Sequence, residues 1–125
     1  MTENDISAII VDSCLKIHTS LGPGLLESVY EEVLCYELRK NGLKFERQKP
    51  IGVFYDSVKM DIGFIADIIA EEKVIIEIKS IETVKAVHHK QLITYLKLTD
   101  KKLGLLVNFN VNLIKDGIKR IVNNL

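Results

Sequence analysis

The chain has 125 residues, 47% of them hydrophobic, and its 17 Lys and Arg balance 17 Asp and Glu. This length predicts one domain, residues 1–125, with enough apolar residues to form a core. The zero net charge argues against strong non-specific nucleic-acid binding, and the absence of a long apolar run excludes a predicted transmembrane helix.

The first five residues are acidic and lack the basic and apolar pattern of a signal peptide. Cys14 and Cys35 do not have the spacing of a metal site, so we expect reduced, helix-packed thiols. These features together predict a cytoplasmic protein that does not associate with membranes.

In chain order, apolar periodicity predicts two helices at residues 5–19 and 25–40, separated by a turn rich in glycine. Strands follow at 44–55, 59–69 and 74–78, and then a helix at 84–98 and a strand at 102–109. Residues 113–122 fit either a short strand or a turn of helix. The helix between the strands at 74–78 and 102–109 predicts that they are parallel. The expected fold is α/β, in the order ααβββαβ(β), with helices flanking a mixed sheet.

Three ionisable residues interrupt the apolar hairpin at residues 64–79. If residues 71–73 form its loop, Asp67 lies opposite Glu77, with their Cβ atoms roughly 5 Å apart. Side chains alternate along a strand, so Glu77 and Lys79 share a face. A salt bridge would need only one acid, and the second acid therefore favours a divalent cation.

Two helices carry further candidates. Glu27 and Tyr30 share a face of the second helix, although Glu27 alone is more typical of an acid that favours the helix dipole. On the helix at 84–98, Gln91 and Tyr95 are four residues apart, and His88 precedes Gln91 by one turn.

The ordered set of these residues resembles the PD-(D/E)XK nuclease superfamily, which has a restriction-endonuclease-like core. Within it, Gly24-Leu25-Leu26-Glu27-Ser28-Val29-Tyr30 is similar to the signature of the GxxExxY family. The pair Gln91 and Tyr95 is similar to a helix motif of RecB-like exonucleases. The chain departs from the superfamily pattern at Ala66, which stands where the common motif has proline.

The resemblance implies that Asp67 and Glu77 ligate Mg²⁺ or Mn²⁺, that Lys79 is catalytic, and that Glu27 is an auxiliary acid. We add the Ile78 carbonyl as a third metal ligand. The resemblance also places Gln91 and Tyr95 in the site or against nucleic acid. Two more substrate-binding candidates are Tyr30 and His88.

The leading hypothesis is a metal-dependent nuclease that cleaves DNA or RNA. The alternative is a non-catalytic nucleic-acid-binding or regulatory subunit that keeps the nuclease fold. A third is a dimerisation module, a homodimer in which Lys79 alone satisfies the acids. From Ser80 onward, 8 Lys and Arg outnumber 3 Asp and Glu, which fits either a phosphate-facing surface or solvated faces. In the nuclease hypothesis, Glu27, Asp67 and Glu77 surround one lysine, so we expect at least one raised carboxyl pKa.

Overall fold

The computed structural model describes residues 1–125. Its elements in chain order are α1 (Glu3–Leu21), α2 (Glu27–Lys40), β1 (Phe45–Ile51), β2 (Phe54–Tyr55), β3 (Val58–Lys59), β4 (Phe64–Ala70), β5 (Val74–Lys79), α3 (Ala86–Thr99), β6 (Leu103–Asn108), α4 (Ile114–Gly117) and β7 (Ile118–Val122).

Five strands form one mixed sheet in the order β1-β4-β5-β6-β7. Strands β5 and β6 are parallel and the other neighbours are antiparallel. Helix α3 makes the crossover between the two parallel strands, as the sequence predicts. The predicted mixed sheet flanked by helices is therefore confirmed, and it is consistent with a restriction-endonuclease-like fold.

The two faces of the sheet are covered by different helices. Helices α1 and α2 pack on one face, in a core cluster that includes Ile76 and Ile78 of β5. Helix α3 covers the other face, where Leu92 and Leu96 pack with Ile75. Because side chains alternate along a strand, Glu77 and Lys79 belong to the α3 face.

The predicted strand at residues 59–69 is wrong in its first half. The chain forms a small separate hairpin, β2–β3, and joins the main sheet only at Phe64. Gly63 lies directly against β1, where a Cβ atom would come within 2.1 Å of the Ile51 carbonyl oxygen. The alternation at residues 59–63 therefore belongs to an exposed connection and not to a sheet strand.

The structure also bears on the C-terminal segment, the two cysteines and the question of a membrane-spanning helix. Residues 113–122 contain both predicted alternatives, a turn of helix (α4) followed by a strand (β7). Cys14 and Cys35 are buried and unpaired, and burial raises the pKa of their thiols to about 12 and about 11. No helix combines the length and the apolar character needed to cross a membrane.

Candidate active site

The site lies where the hydrogen-bond ladder between β4 and β5 opens. Their paired residues end at Ile68 and Ile76, whereas β5 continues beside β6 as far as Lys79. Asp67 and Glu77 are the next residues beyond the last pair, and their side chains are hydrogen-bonded, as the predicted loop at 71–73 suggests. At this point Asp67 Oδ2 accepts a hydrogen bond of 2.8 Å from the Ile78 amide. The aspartate carboxylate thus takes the place of a strand carbonyl at the end of the ladder.

Glu77 is a buried acid, with 8% of its surface exposed. Burial raises the pKa of its carboxyl to about 9, and the negative charge of Asp67 and a hydrogen bond with Asp67 add to the rise. Lys79 lowers the same pKa, but its effect is smaller than these. The expectation of one raised carboxyl pKa is confirmed at this residue, and the isolated protein keeps Glu77 protonated at neutral pH.

No basic side chain forms an ion pair with this acid pair. All of the ion pairs in the structure lie elsewhere, and none includes Asp67, Glu77 or Lys79. The salt-bridge hypothesis, in which Lys79 alone satisfies the acids, is therefore wrong. Burial of charge without a partner is costly, and a bound cation is one of the few ways to offset it.

The pair of acids fits a hard divalent cation, which prefers oxygen ligands. However, no group of three or more His, Cys, Asp and Glu side chains converges closely enough to hold a metal ion. Backbone oxygens and water would have to complete the coordination, which is usual for Mg²⁺. Ile78 lies beside Asp67 in the wall of the adjoining cleft.

Glu27 lines one cleft with Asp67, and Glu77 is not among the residues that line this cleft. Glu27 Oε2 accepts a hydrogen bond of 3.0 Å from the Ser80 amide. In return, Ser80 Oγ donates to the Leu25 carbonyl over 2.7 Å. Glu27 therefore connects the beginning of α2 to the end of β5, next to Lys79.

Tyr30 is buried completely, so the prediction that it binds substrate is wrong. Its ring stacks on Phe109 with 4.2 Å between the centroids. Its hydroxyl donates to the Gly22 carbonyl over 2.6 Å and accepts from the Leu25 amide over 3.1 Å. Between these residues, Gly24 has φ of +97°, a conformation that favours glycine. The Tyr30 side chain thus fixes the loop between α1 and α2.

The three candidates on α3 lie in different surroundings. Tyr95 faces the acid pair: its pKa is raised by burial first, and then by the charges of Glu77 and Asp67. Its ring stacks on Phe64 of β4, with centroids 3.8 Å apart. Gln91 is exposed one turn earlier. His88 Nδ1 accepts from the Lys85 amide over 2.9 Å, so it caps the first turn of α3.

Sequence reasoning missed two residues on the α2 side of Asp67. Glu31 and Gln48 line a cleft of about 460 Å³ together with Asp67 and Glu27. The signal for Glu31 was its spacing of four residues from Glu27, which places both acids on one face of α2. Gln48 had no such signal, because only the register of β1 on β4 brings it opposite Asp67.

A third missed residue, Asn108, holds the chain just beyond Lys79. Its side chain accepts from the Ile81 amide over 3.1 Å and donates to the Ile81 carbonyl over 2.9 Å. Asn108 is nearly fully buried at the end of β6, in a strand that otherwise consists of core residues and glycine. A buried asparagine that closes an otherwise apolar strand was the available signal.

Comparisons with known proteins are consistent with this geometry. A family model of the PD-(D/E)XK nuclease superfamily matches residues 4–121. Comparisons with curated proteins and with solved structures gave no match. Nuclease activity on nucleic acid, typically with divalent metal ions, is what this superfamily implies. Because the match extends over nearly the whole chain, the protein belongs to the PD-(D/E)XK nuclease superfamily.

Proposed function

We propose that this protein is a metal-dependent nuclease that hydrolyses phosphodiester bonds in DNA or RNA. Asp67, Glu77 and the Ile78 carbonyl would hold Mg²⁺ or Mn²⁺, and Lys79 would be catalytic. Residues 1–125 would form one nuclease domain. Gly24, Glu27 and Tyr30 match the signature of the GxxExxY family, to which the protein would belong.

One observation carries the proposal: two neighbouring acids, Glu77 buried and Asp67 half-buried, form no ion pair with a basic side chain of the protein. Asp67 and Glu77 lie together, and neither forms an ion pair. If these two positions only stabilised the fold, an acid paired with a base, or two apolar residues, would stabilise it better than two acids. The arrangement therefore favours a function in which a cation and a phosphate complete the site.

The chemistry assigns different tasks to the chain's own residues. A divalent cation, when bound, polarises a phosphoryl oxygen and lowers the pKa of the attacking water. Lys79 has no carboxylate partner, so its ammonium is free to orient a water molecule or to stabilise charge that develops on the phosphate. Tyr95 lies close enough to the acid pair for the charges of Glu77 and Asp67 to raise its pKa, and in this proposal its hydroxyl donates to a phosphate oxygen.

The exposed part of α3 supports a nucleic-acid contact beside this site. Lys85, the N-cap residue of α3, and Lys90 in the first half of the helix are exposed. Gln91 is exposed between Lys90 and Tyr95. Lysine contacts to phosphate supply most of the affinity that does not depend on sequence. A backbone that follows these lysines would reach the acid pair by way of Tyr95.

A cleavage assay on single- and double-stranded DNA and RNA, with Mg²⁺, Mn²⁺ or EDTA, tests the proposal. We expect cleavage only with metal, and a loss of at least 100-fold in Lys79→Ala, in line with the removal of one transition-state contact. Calorimetry should find nearly unchanged metal affinity in this variant, because a protonated lysine is not a ligand. Metal-stimulated binding without cleavage would identify the protein as a non-catalytic subunit. Equal loss of affinity and activity would make Lys79 structural.

A further inference from the structure

We propose that Gln48 is a positioning residue that fixes Asp67, and that Glu31 holds Gln48 in place. The inference rests on the proposed function, since it gives Asp67 the role of a metal ligand. Gln48 and Glu31 lie on the α2 side of Asp67, and neither residue belongs to the sequence motifs described above.

The backbone of Gln48 is the first observation. Strand β1 pairs with β4 on both sides of this residue, through Arg47 with Ile68 and Lys49 with Ala66. Gln48 itself leaves the pairing and has φ of +50°, in the left-handed region. A residue other than glycine is strained in this conformation, and such strain collects at functional sites.

The side chain of Gln48 explains what the unusual backbone achieves. Its Nε2 atom lies 2.5 Å from Glu31 Oε1 and 3.4 Å from Asp67 Oδ1. An amide nitrogen has two hydrogens, so one can bond to each acid at the same time. In an extended strand, neighbouring side chains point to alternate faces of the sheet. Gln48 is not extended, so its side chain does not have to follow this alternation.

Glu31 is anchored firmly enough to hold the amide. It is buried in α2, and its other oxygen accepts from Arg47 Nε over 2.6 Å. The guanidinium of Arg47 balances its charge, so Glu31 does not need a metal ion. The contacts therefore run from Arg47 through Glu31 and Gln48 to Asp67.

These contacts leave Asp67 with little freedom. Its Oδ2 atom is held by the Ile78 amide at 2.8 Å, and its Oδ1 atom faces Gln48. Each Asp67 oxygen thus has one donor from the protein and keeps a lone pair that could bind a metal ion. Residues that orient a metal ligand in this way typically change metal affinity by 10-fold to 100-fold when they are replaced.

Calorimetric titration with Mn²⁺, combined with thermal melts in EDTA, tests the inference on Gln48→Gly and Gln48→Ala. Both variants lack the amide, so we expect both to bind Mn²⁺ about 10-fold more weakly than the wild type. Glycine tolerates the left-handed backbone, so Gln48→Gly should melt about 3 °C or more above Gln48→Ala. In an ordinary strand position, alanine would be the more stable of the two.

Asp100 offers a matched control, because it also has positive φ, at the end of α3 that lies away from the site. Asp100→Gly should melt above Asp100→Ala and bind Mn²⁺ like the wild type. Wild-type affinity in Gln48→Gly would overturn the positioning role and leave the proposed function intact. A wild-type protein that binds no Mn²⁺ would overturn both.

Discussion

Replacement of Glu77 by glutamine should stabilise the metal-free protein at high pH and have little effect at low pH. The Glu77 pKa is about 9 in the folded protein, as burial and Asp67 disfavour its charge, and the ordinary value is 4.5. Between these two values the folded state keeps a proton that the unfolded state has released. Its stability must therefore fall as pH rises through this range. Glutamine has the shape of the protonated acid but no proton to lose.

The size of the effect follows from one proton. Each pH unit between the two pKa values removes about 1.4 kcal/mol from the free energy of unfolding. From pH 6 to pH 8, the wild type should therefore lose up to about 3 kcal/mol more than Glu77→Gln. Below pH 4 both proteins carry a neutral side chain at this position, and the difference should vanish.

Urea denaturation in EDTA at pH 6, 7 and 8 measures this difference directly. Glu82→Gln is a matched control, because Glu82 is exposed and lies outside the acid pair. This control should keep the pH dependence of the wild type. If the difference between the wild type and Glu77→Gln is the same at pH 6 and at pH 8, Glu77 is already ionised and the argument from burial is refuted.

Two further predictions concern the nucleic-acid surface and the loop before α2. Neutralisation of Lys85 and Lys90 should weaken DNA binding and reduce the salt slope by about one unit for each phosphate that the variant no longer neutralises; fluorescence anisotropy at several salt concentrations measures this. Lys16→Ala is the control, because Lys16 pairs with Asp12 on α1, and an unchanged slope in the double variant would exclude both lysines. Tyr30→Phe should cost about 1–3 kcal/mol of stability, because two backbone groups are left without their partner, and should leave DNA affinity unchanged. Urea denaturation measures this change, and Tyr36→Phe is the control, because Tyr36 is 57% exposed and its replacement should leave the stability unchanged. An unchanged stability in Tyr30→Phe would contradict the anchoring role of the hydroxyl.

The proximity of Asp67 and Glu77 could be predicted from the sequence for a physical reason. Asp67 and Glu77 are charged residues inside apolar strands, and such charges are rare unless they serve a purpose. The hairpin loop at residues 71–73 fixed their register, because side chains in strands alternate strictly. A buried charge and a fixed register are both visible in the amino-acid sequence.

The prediction that Tyr30 binds substrate and the predicted strand at residues 59–69 failed because both depended on contacts between distant segments. Glu27 and Tyr30 have the correct spacing to share a face of α2, but spacing does not say which neighbour that face meets. The neighbours are Ser80 and Phe109, more than 50 residues away along the chain. The strand at residues 59–69 failed for a similar reason, since the close approach of Gly63 to Ile51 is a tertiary contact.

The contacts that sequence reasoning missed explain how the site keeps its geometry. The segment after Glu77 is held from two sides: the Phe109 amide donates to the Lys79 carbonyl over 3.0 Å, and Glu27 accepts from the Ser80 amide. These contacts hold Lys79 and Glu77 in place on β5. Asp67 comes from the neighbouring strand, where the ladder with β5 is open and side-chain contacts orient the carboxylate. A rigid β5 and a separately oriented Asp67 are what a metal site needs, since ligands must be held in place before the ion arrives. The helix motif with Glu27 and Tyr30 therefore contributes to the site as part of its frame.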